Sequence, residues 1–128
     1  MSDSNGATIL LVEDNETIRH AFSILLEDSG YRVLQAGTGQ EALAAAKRDR
    51  PHLVLMDLGL PDLSGLEVTR RLKADPETRA VIVVALTGRA LETNQNECLA
   101  AGCAAYFSKP IDSENLLRRL PELLVGGK

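Results

Sequence analysis

The run Leu53-Val54-Leu55-Met56, entered from His52 and closed by Asp57, is apolar on every residue and gives way at once to the turn-forming stretch Leu58-Gly59-Leu60-Pro61-Asp62-Leu63-Ser64-Gly65. A strand with one wet face alternates apolar and polar residues, whereas this run has no polar side to show to water. It therefore reads as a strand buried on both faces, the kind found in parallel sheets covered above and below by helices. Such a strand delivers its last residue to the rim of the sheet, and in open α/β sheets ligands bind beyond the carboxyl ends of the strands. Asp57 alone is equally well explained as a turn residue or a helix cap. Its company decides the matter.

The same pattern recurs along the chain. Ala7-Thr8-Ile9-Leu10-Leu11-Val12 is a second apolar run that ends in acids, Glu13-Asp14. Ile18, Phe22, Leu25 and Leu26 then fall on one helical face, with Asn15 as cap and Gly30 as stop. Tyr31 to Ala36 reads as a strand, and Thr38-Gly39-Gln40-Glu41 has capping-box spacing ahead of an Ala-rich helix that Asp49-Arg50-Pro51 closes. Leu66, Val68 and Leu72 mark a short helix ended by Asp75-Pro76. Val81 to Leu86 is the most β-branched run and finishes at Thr87-Gly88. Leu91 to Ala101 reads as a weakly anchored helix with few large apolar side chains, and Ala104 to Ser108 as a last strand ending at Lys109-Pro110. Asp112 caps a helix bearing Leu116, Leu117 and Leu120, which Pro121 is expected to kink or end. Five strands alternating with five helices imply a parallel, doubly wound sheet.

Composition narrows the functional classes. A chain of 128 residues fits one domain, and 45% hydrophobic with only 3% aromatic content means a core of aliphatic side chains. The net charge of −4 argues against a nucleic-acid surface, and the pairs Arg70-Arg71 and Arg118-Arg119 read as solvated helix faces. No apolar run approaches the ~20 residues of a membrane span. The polar, acidic start Met1-Ser2-Asp3-Ser4-Asn5-Gly6 does not read as a secretory signal, so a cytoplasmic location is expected. Cys98 and Cys103, with only His20 and His52 as further soft ligands, do not make up a zinc set and read as reduced, buried thiols.

In a parallel sheet all strands exit on one edge, so Glu13, Asp14, Asp57, Thr87 and Lys109 should converge although they are far apart in sequence. Crowded carboxylates stay ionised at neutral pH only beside a cation. An all-oxygen set suits Mg²⁺, which keeps part of its hydration shell. With the Lys109 ammonium and the Thr87 hydroxyl, such a site could neutralise the equatorial oxygens of a phosphoryl group in transfer, and a carboxylate such as Asp57 can accept it covalently.

Val12-Glu13-Asp14, Met56-Asp57 through Gly65, Leu86-Thr87-Gly88 and Tyr106-Phe107-Ser108-Lys109-Pro110 together resemble the motifs of response regulator receiver domains of two-component signalling, and the likeness runs from about Thr8 to Leu120. The resemblance implies a flavodoxin-like sheet of order 2-1-3-4-5 and a single receiver domain over residues 1–128, with an ordered core of about 7–124 and short polar tails. It implies Asp57 as phosphoacceptor, and Mg²⁺ held by Glu13, Asp14, Asp57 and the Gly59 carbonyl. Thr87 and Lys109 would bind phosphoryl oxygens, Tyr106 would be the switch aromatic, and the bond to Pro110 would be cis. The donor would be a sensor histidine kinase or a histidine phosphotransfer protein. Output would pass through the face made by the fourth helix, fifth strand and fifth helix to a protein partner or to a further part of a longer chain, without direct contact to nucleic acid or membrane.

Gly59 and Arg89 vary on the family pattern at positions that affect phosphoryl lifetime, and Pro121 puts a helix-mediated dimer in doubt. Two other readings stand beside this one. A phosphorylation-independent interaction domain needs none of the chemistry. A small phosphohydrolase using Asp57 covalently is disfavoured, because haloacid-dehalogenase-type phosphatases place a second Asp where Gly59 stands. Gly37-Thr38-Gly39-Gln40-Glu41-Ala42 fits a dinucleotide-binding pattern, but it follows the second strand and sets Glu41 where pyrophosphate should lie, so it reads as coincidence.

Overall fold

The structure is a computed structural model that describes residues 6–88 and 95–126. Its elements in chain order are β1 (Thr8–Val12), α1 (Glu16–Asp28), β2 (Arg32–Ala36), α2 (Gly39–Asp49), β3 (Leu53–Asp57), α3 (Gly65–Ala74), β4 (Ile82–Thr87), α4 (Gln95–Ala101), β5 (Ala105–Ser108) and α5 (Ser113–Gly126). The five strands form one parallel sheet of order β2-β1-β3-β4-β5. The chain first winds outward from β1 to β2 and then crosses back to β3, so the strand order reverses between β1 and β3. That reversal opens the crevice at their carboxyl ends where α/β folds bind ligands.

Burial on two faces is visible residue by residue. Leu10 and Val12 of β1, Val54 and Met56 of β3, and Val83 and Ala85 of β4 pack into one cluster with Ala42, Ala46, Val68 and Leu72 of α2 and α3. Ile9 and Leu11, Leu53 and Leu55, and Val84 and Leu86 point the other way, against Leu26 of α1 and Leu116 and Leu120 of α5. The period of two along each strand thus feeds two cores. All five residues of β3 are buried. With both sides covered, a one-residue slip would gain nothing on either face, and the rim residues are held to fixed heights.

The helix starts follow capping chemistry. Asn15, Thr38, Ser64 and Asp112 each accept a hydrogen bond from the backbone N–H three residues on, at 2.9, 3.1, 3.1 and 3.2 Å. The reciprocal half of the expected capping box at α2 is altered: Glu41 accepts from the Gly37 N–H at 2.8 Å, one residue before the cap. Arg50 closes α2 in the left-handed region, at φ 46°.

Two expectations are corrected. Pro121 does not end the last helix, since α5 continues to Gly126. Proline removes its own N–H from the ladder and crowds the carbonyl one turn back, but Leu116 and Leu120, both fully buried, with Leu123 and Leu124 against the same core, hold both sides of the break in register. On α1, Leu26 is buried and Phe22 packs on the core, but Ile18 and Leu25 are 48% and 42% exposed. The apolar stripe is wider than the surface that covers it. The stretch from Leu91 to Asn94, read as the start of the fourth helix, and Arg89 lie outside the described residues; within them, α4 buries Cys98 and Ala101 and leaves Leu99 exposed.

α4 ends on Gly102 at φ +113°, with the Gly102 N–H on the Leu99 carbonyl at 3.0 Å and the Cys103 N–H on the Cys98 carbonyl at 2.9 Å. This left-handed cap folds the chain so that the two thiols meet. Burial pushes the Cys103 thiol up to about 11 and raises that of Cys98 as well. Since the thiolate is the reactive form, both cysteines are expected to resist alkylation at pH 8 in the folded protein and to react once urea unfolds it; rapid labelling of the native protein would contradict the buried placement. Pro121→Ala restores one helical hydrogen bond and is expected to raise stability by about 1–3 kcal/mol in urea unfolding.

Candidate functional site

The strand register assembles the site. Val12 pairs with Met56, so Glu13 lies beside Asp57; Asp57 pairs with Leu86, so Thr87 lies one step beyond; Thr87 pairs with Ser108, so Lys109 follows. Parallel strands are spaced about 4.8 Å apart, which sets the four groups along one rim at contact range. Asp14, Asp57, Leu58, Gly59, Thr87, Gly88 and Lys109 line a cleft of about 290 Å³ there.

Within it, Glu13, Asp14 and Asp57 offer carboxylate oxygens that all lie within 4.8 Å of one another. Glu13 and Asp57 are buried, each 4% exposed, while Asp14 is open to solvent. The Lys109 ammonium bridges the buried pair, 2.9 Å from Glu13 Oε1 and 3.3 Å from Asp57 Oδ1. Backbone donors fix the same two carboxylates: the Asn15 N–H reaches Glu13 Oε2 at 3.1 Å and the Gly59 N–H reaches Asp57 Oδ1 at 3.0 Å. Burial by itself lowers the Lys109 pKa, but the hydrogen bond it donates to Glu13 and the charges of Asp57 and Glu13 outweigh it and raise the value above the ordinary lysine range. A raised cation pKa means that the bridge persists through neutral pH and is lost only as pH climbs through that raised value.

One ammonium among three carboxylates leaves the cleft short of positive charge. The donors are all hard oxygens, and an octahedral Mg²⁺ with bonds near 2.1 Å spans up to about 4.2 Å between opposite ligands, close to the spacing present. The set therefore fits such an ion, held by Glu13, Asp14 and Asp57 with water completing the shell.

Thr87 is buried at the mouth of the cleft and its carbonyl accepts from the Lys109 N–H at 2.7 Å. The Lys109-Pro110 peptide is cis. Tyr106 is half-buried on β5 and packed against the core shared by α2 and α3. Gly59 is exposed in the loop after β3. A side chain at Gly65 would place its Cβ 2.5 Å from the Asp57 carbonyl oxygen, so only glycine lets α3 start this close to the strand end.

Sequence reading passed over two residues. Arg19 Nη1 donates to the Glu13 carbonyl at 2.7 Å and its Nε to Gln35 Oε1 at 3.2 Å, tying α1, β2 and the acidic turn together. Asp62 crosses from the β3–α3 loop to the start of α2, where it accepts from the Gly39 and Gln40 N–H groups at 2.7 and 3.0 Å. A lone Arg on a helix and an Asp in a turn are ordinary surface residues by pattern; only the position of Arg19 one turn after the Asn15 cap hinted at a reach toward Glu13.

A buried acid at the switch point, an ammonium that bridges it to a second acid, and a cation-shaped gap define a phosphoryl-acceptor module. The sequence family agrees: residues 9–121 match the response regulator receiver domain, and the chain belongs to that family. The polar-differentiation response regulator DivK of Brucella anthropi is 41% identical over 117 residues, covering 91% of this chain and 95% of that protein. Among solved structures, the receiver domain of a sensor histidine kinase from Pseudomonas aeruginosa, with a magnesium ion coordinated in its active-site cleft, superposes with a TM-score of 0.85 at 38% identity, covering 94% of this chain and 98% of that one. The chemotaxis response regulator CheY4 of Vibrio cholerae gives 0.84 at 29% identity over 93% and 99% of the two chains. Among the described residues no helix is long and apolar enough to cross a membrane.

Mg²⁺ that binds only the folded cleft must stabilise the fold by mass action, by about 1–3 kcal/mol at ten to a hundred times its dissociation constant. Urea unfolding with and without Mg²⁺ is expected to show that gain in the natural protein and to lose most of it in Asp57→Asn.

Proposed function

We propose that this chain is a phosphorelay receiver in which Asp57 takes a phosphoryl group from a phosphohistidine on a sensor histidine kinase or a histidine phosphotransfer protein. The observation that carries the reading is the Lys109 bridge between Glu13 and Asp57 in a cleft that still lacks positive charge. With Oδ1 held by Gly59 and Lys109, the Asp57 carboxylate is fixed in rotation at the open end of β3. A carboxylate oxygen attacks phosphorus, the phosphorus–nitrogen bond to imidazole breaks, and an acyl phosphate remains on Asp57. Mg²⁺ held by Glu13, Asp14, Asp57 and the Gly59 carbonyl supplies the charge that lets an anionic phosphoryl group enter an acidic cleft. Lys109 pairs with one phosphoryl oxygen and the Thr87 hydroxyl bonds another. The displacement of Thr87 draws Tyr106 inward and biases the face of α4, β5 and α5, which a downstream protein reads.

The chain then catalyses only its own phosphorylation and dephosphorylation. A groove of about 610 Å³ beside Glu13 and Lys109, lined by Ile18, Ala21, Phe22, Leu25, Pro110 and Ile111, suits an apolar helical surface that presents the donor histidine to Asp57. Two buried free thiols suit a reducing, cytoplasmic setting.

Beryllofluoride with Mg²⁺ is expected to shift the amide signals of Asp57, Thr87 and Lys109, and phosphoramidate to add one phosphoryl mass; Asp57→Asn should abolish both. Indifference to both reagents would defeat the proposal. Multiple turnover of a phosphate ester would favour the phosphohydrolase, and partner binding unchanged by Asp57→Asn would favour a phosphorylation-independent interaction domain.

A further inference from the structure

The glycine-rich turn before α2 looks like an anion cradle, and the fold has filled it from within. The first N–H groups of a helix are free donors at the positive end of its dipole. Here the Gly39 and Gln40 N–H groups both point at Asp62, whose two carboxylate oxygens take one each, at 2.7 and 3.0 Å. Gly39 is required for the approach: a Cβ there would lie 2.9 Å from Val68 Cγ2, 3.0 Å from Leu63 Cβ and 3.2 Å from Asp62 Oδ1. The Gly39 N–H, followed by that of Gln40, holds the Asp62 carboxyl below the usual carboxylate range, so the contact is ionic throughout the neutral region.

Asp62 sits three residues past Gly59, in the loop that leaves the end of β3. The two ends of that loop are tied together by the Gly65 N–H on the Leu58 carbonyl at 3.1 Å, and Leu60 and Leu63 rest on the core. Between these ties Gly59 and Pro61 are exposed, and the Gly59 N–H on Asp57 is the polar tie of this segment to the site among the described residues. We infer that Asp62 is a positioning residue for the metal site: by docking on the start of α2 it holds the Gly59 backbone at the height where it meets Asp57 and the cation. The inference rests on the receiver reading and deepens it, since it assigns the Gly39 and Gln40 N–H groups a part in Mg²⁺ binding that no direct contact gives them. Groups that orient ligands from outside a metal's own shell typically change affinity by about 10–100-fold when removed.

Titration of the whole chain with Mg²⁺ alone, followed by calorimetry or amide shifts, tests it in four forms: natural, Asp62→Ala, Asp62→Asn and Thr38→Ala. Thr38 caps the same helix start without touching the loop, so Thr38→Ala reports what loosening α2 does by itself. Asp62→Ala is expected to raise the Mg²⁺ dissociation constant on the order of tenfold. Asp62→Asn, which keeps one carbonyl acceptor, should fall between it and the natural chain, and Thr38→Ala should leave the constant unchanged while lowering urea stability. Unchanged affinity in Asp62→Ala, or equal weakening in Thr38→Ala, would overturn the assignment and leave the receiver reading standing. Failure of the natural chain to bind Mg²⁺ would overturn both.

Discussion

The bridge from Lys109 to Glu13 and Asp57 is the interaction on which the site depends, and it exists only because four strands run in register to one rim. Two buried acids side by side repel, and burial raises the cost of their charge. One ammonium between them makes the pair tolerable. It does not neutralise the third acid, Asp14, and that residual charge is what gives the cleft its appetite for a divalent ion. Structure and chemistry meet in this imbalance: enough positive charge to bridge the buried pair, too little to balance all three acids.

The sheet behind the rim explains why the imbalance can be held. β3 is buried on every residue, and its neighbours feed two separate cores through alternate side chains. Aliphatic layers of this kind are packed to high density and do not slide. Asp57 is thus fixed by its strand, Glu13 by Asn15 and Arg19, and the loop beyond β3 by the Gly65–Leu58 bond across its base and by Asp62 docked on α2. Rigid walls surround a polar gap, while the apolar groove beside it stays open between α1 and Ile111.

Most of this was legible in the residues. The strands could be read because unbroken apolar runs admit few other folds, and the rim residues because each closes such a run. Pro121 does not end its helix, because the leucines on both sides of it are anchored in the core and outweigh a local rule about one residue. Ile18 and Leu25 share the helical spacing of core residues but face outward, since periodicity gives a stripe and only the neighbouring elements give its width. Asp62 leaves no trace in the pattern, and Arg19 only its place one turn after the Asn15 cap. Both bind backbone groups of distant elements, and a backbone partner has no residue type to recognise.

Lys109 and Glu13 are separated by 96 positions, yet one touches the other. The acidic cleft is therefore a property of the finished tertiary arrangement and of no shorter segment. A nascent chain that has emerged only as far as β4 carries Glu13, Asp14 and Asp57 without the Lys109 ammonium, so the charge balance of the cleft is set only when β5 docks.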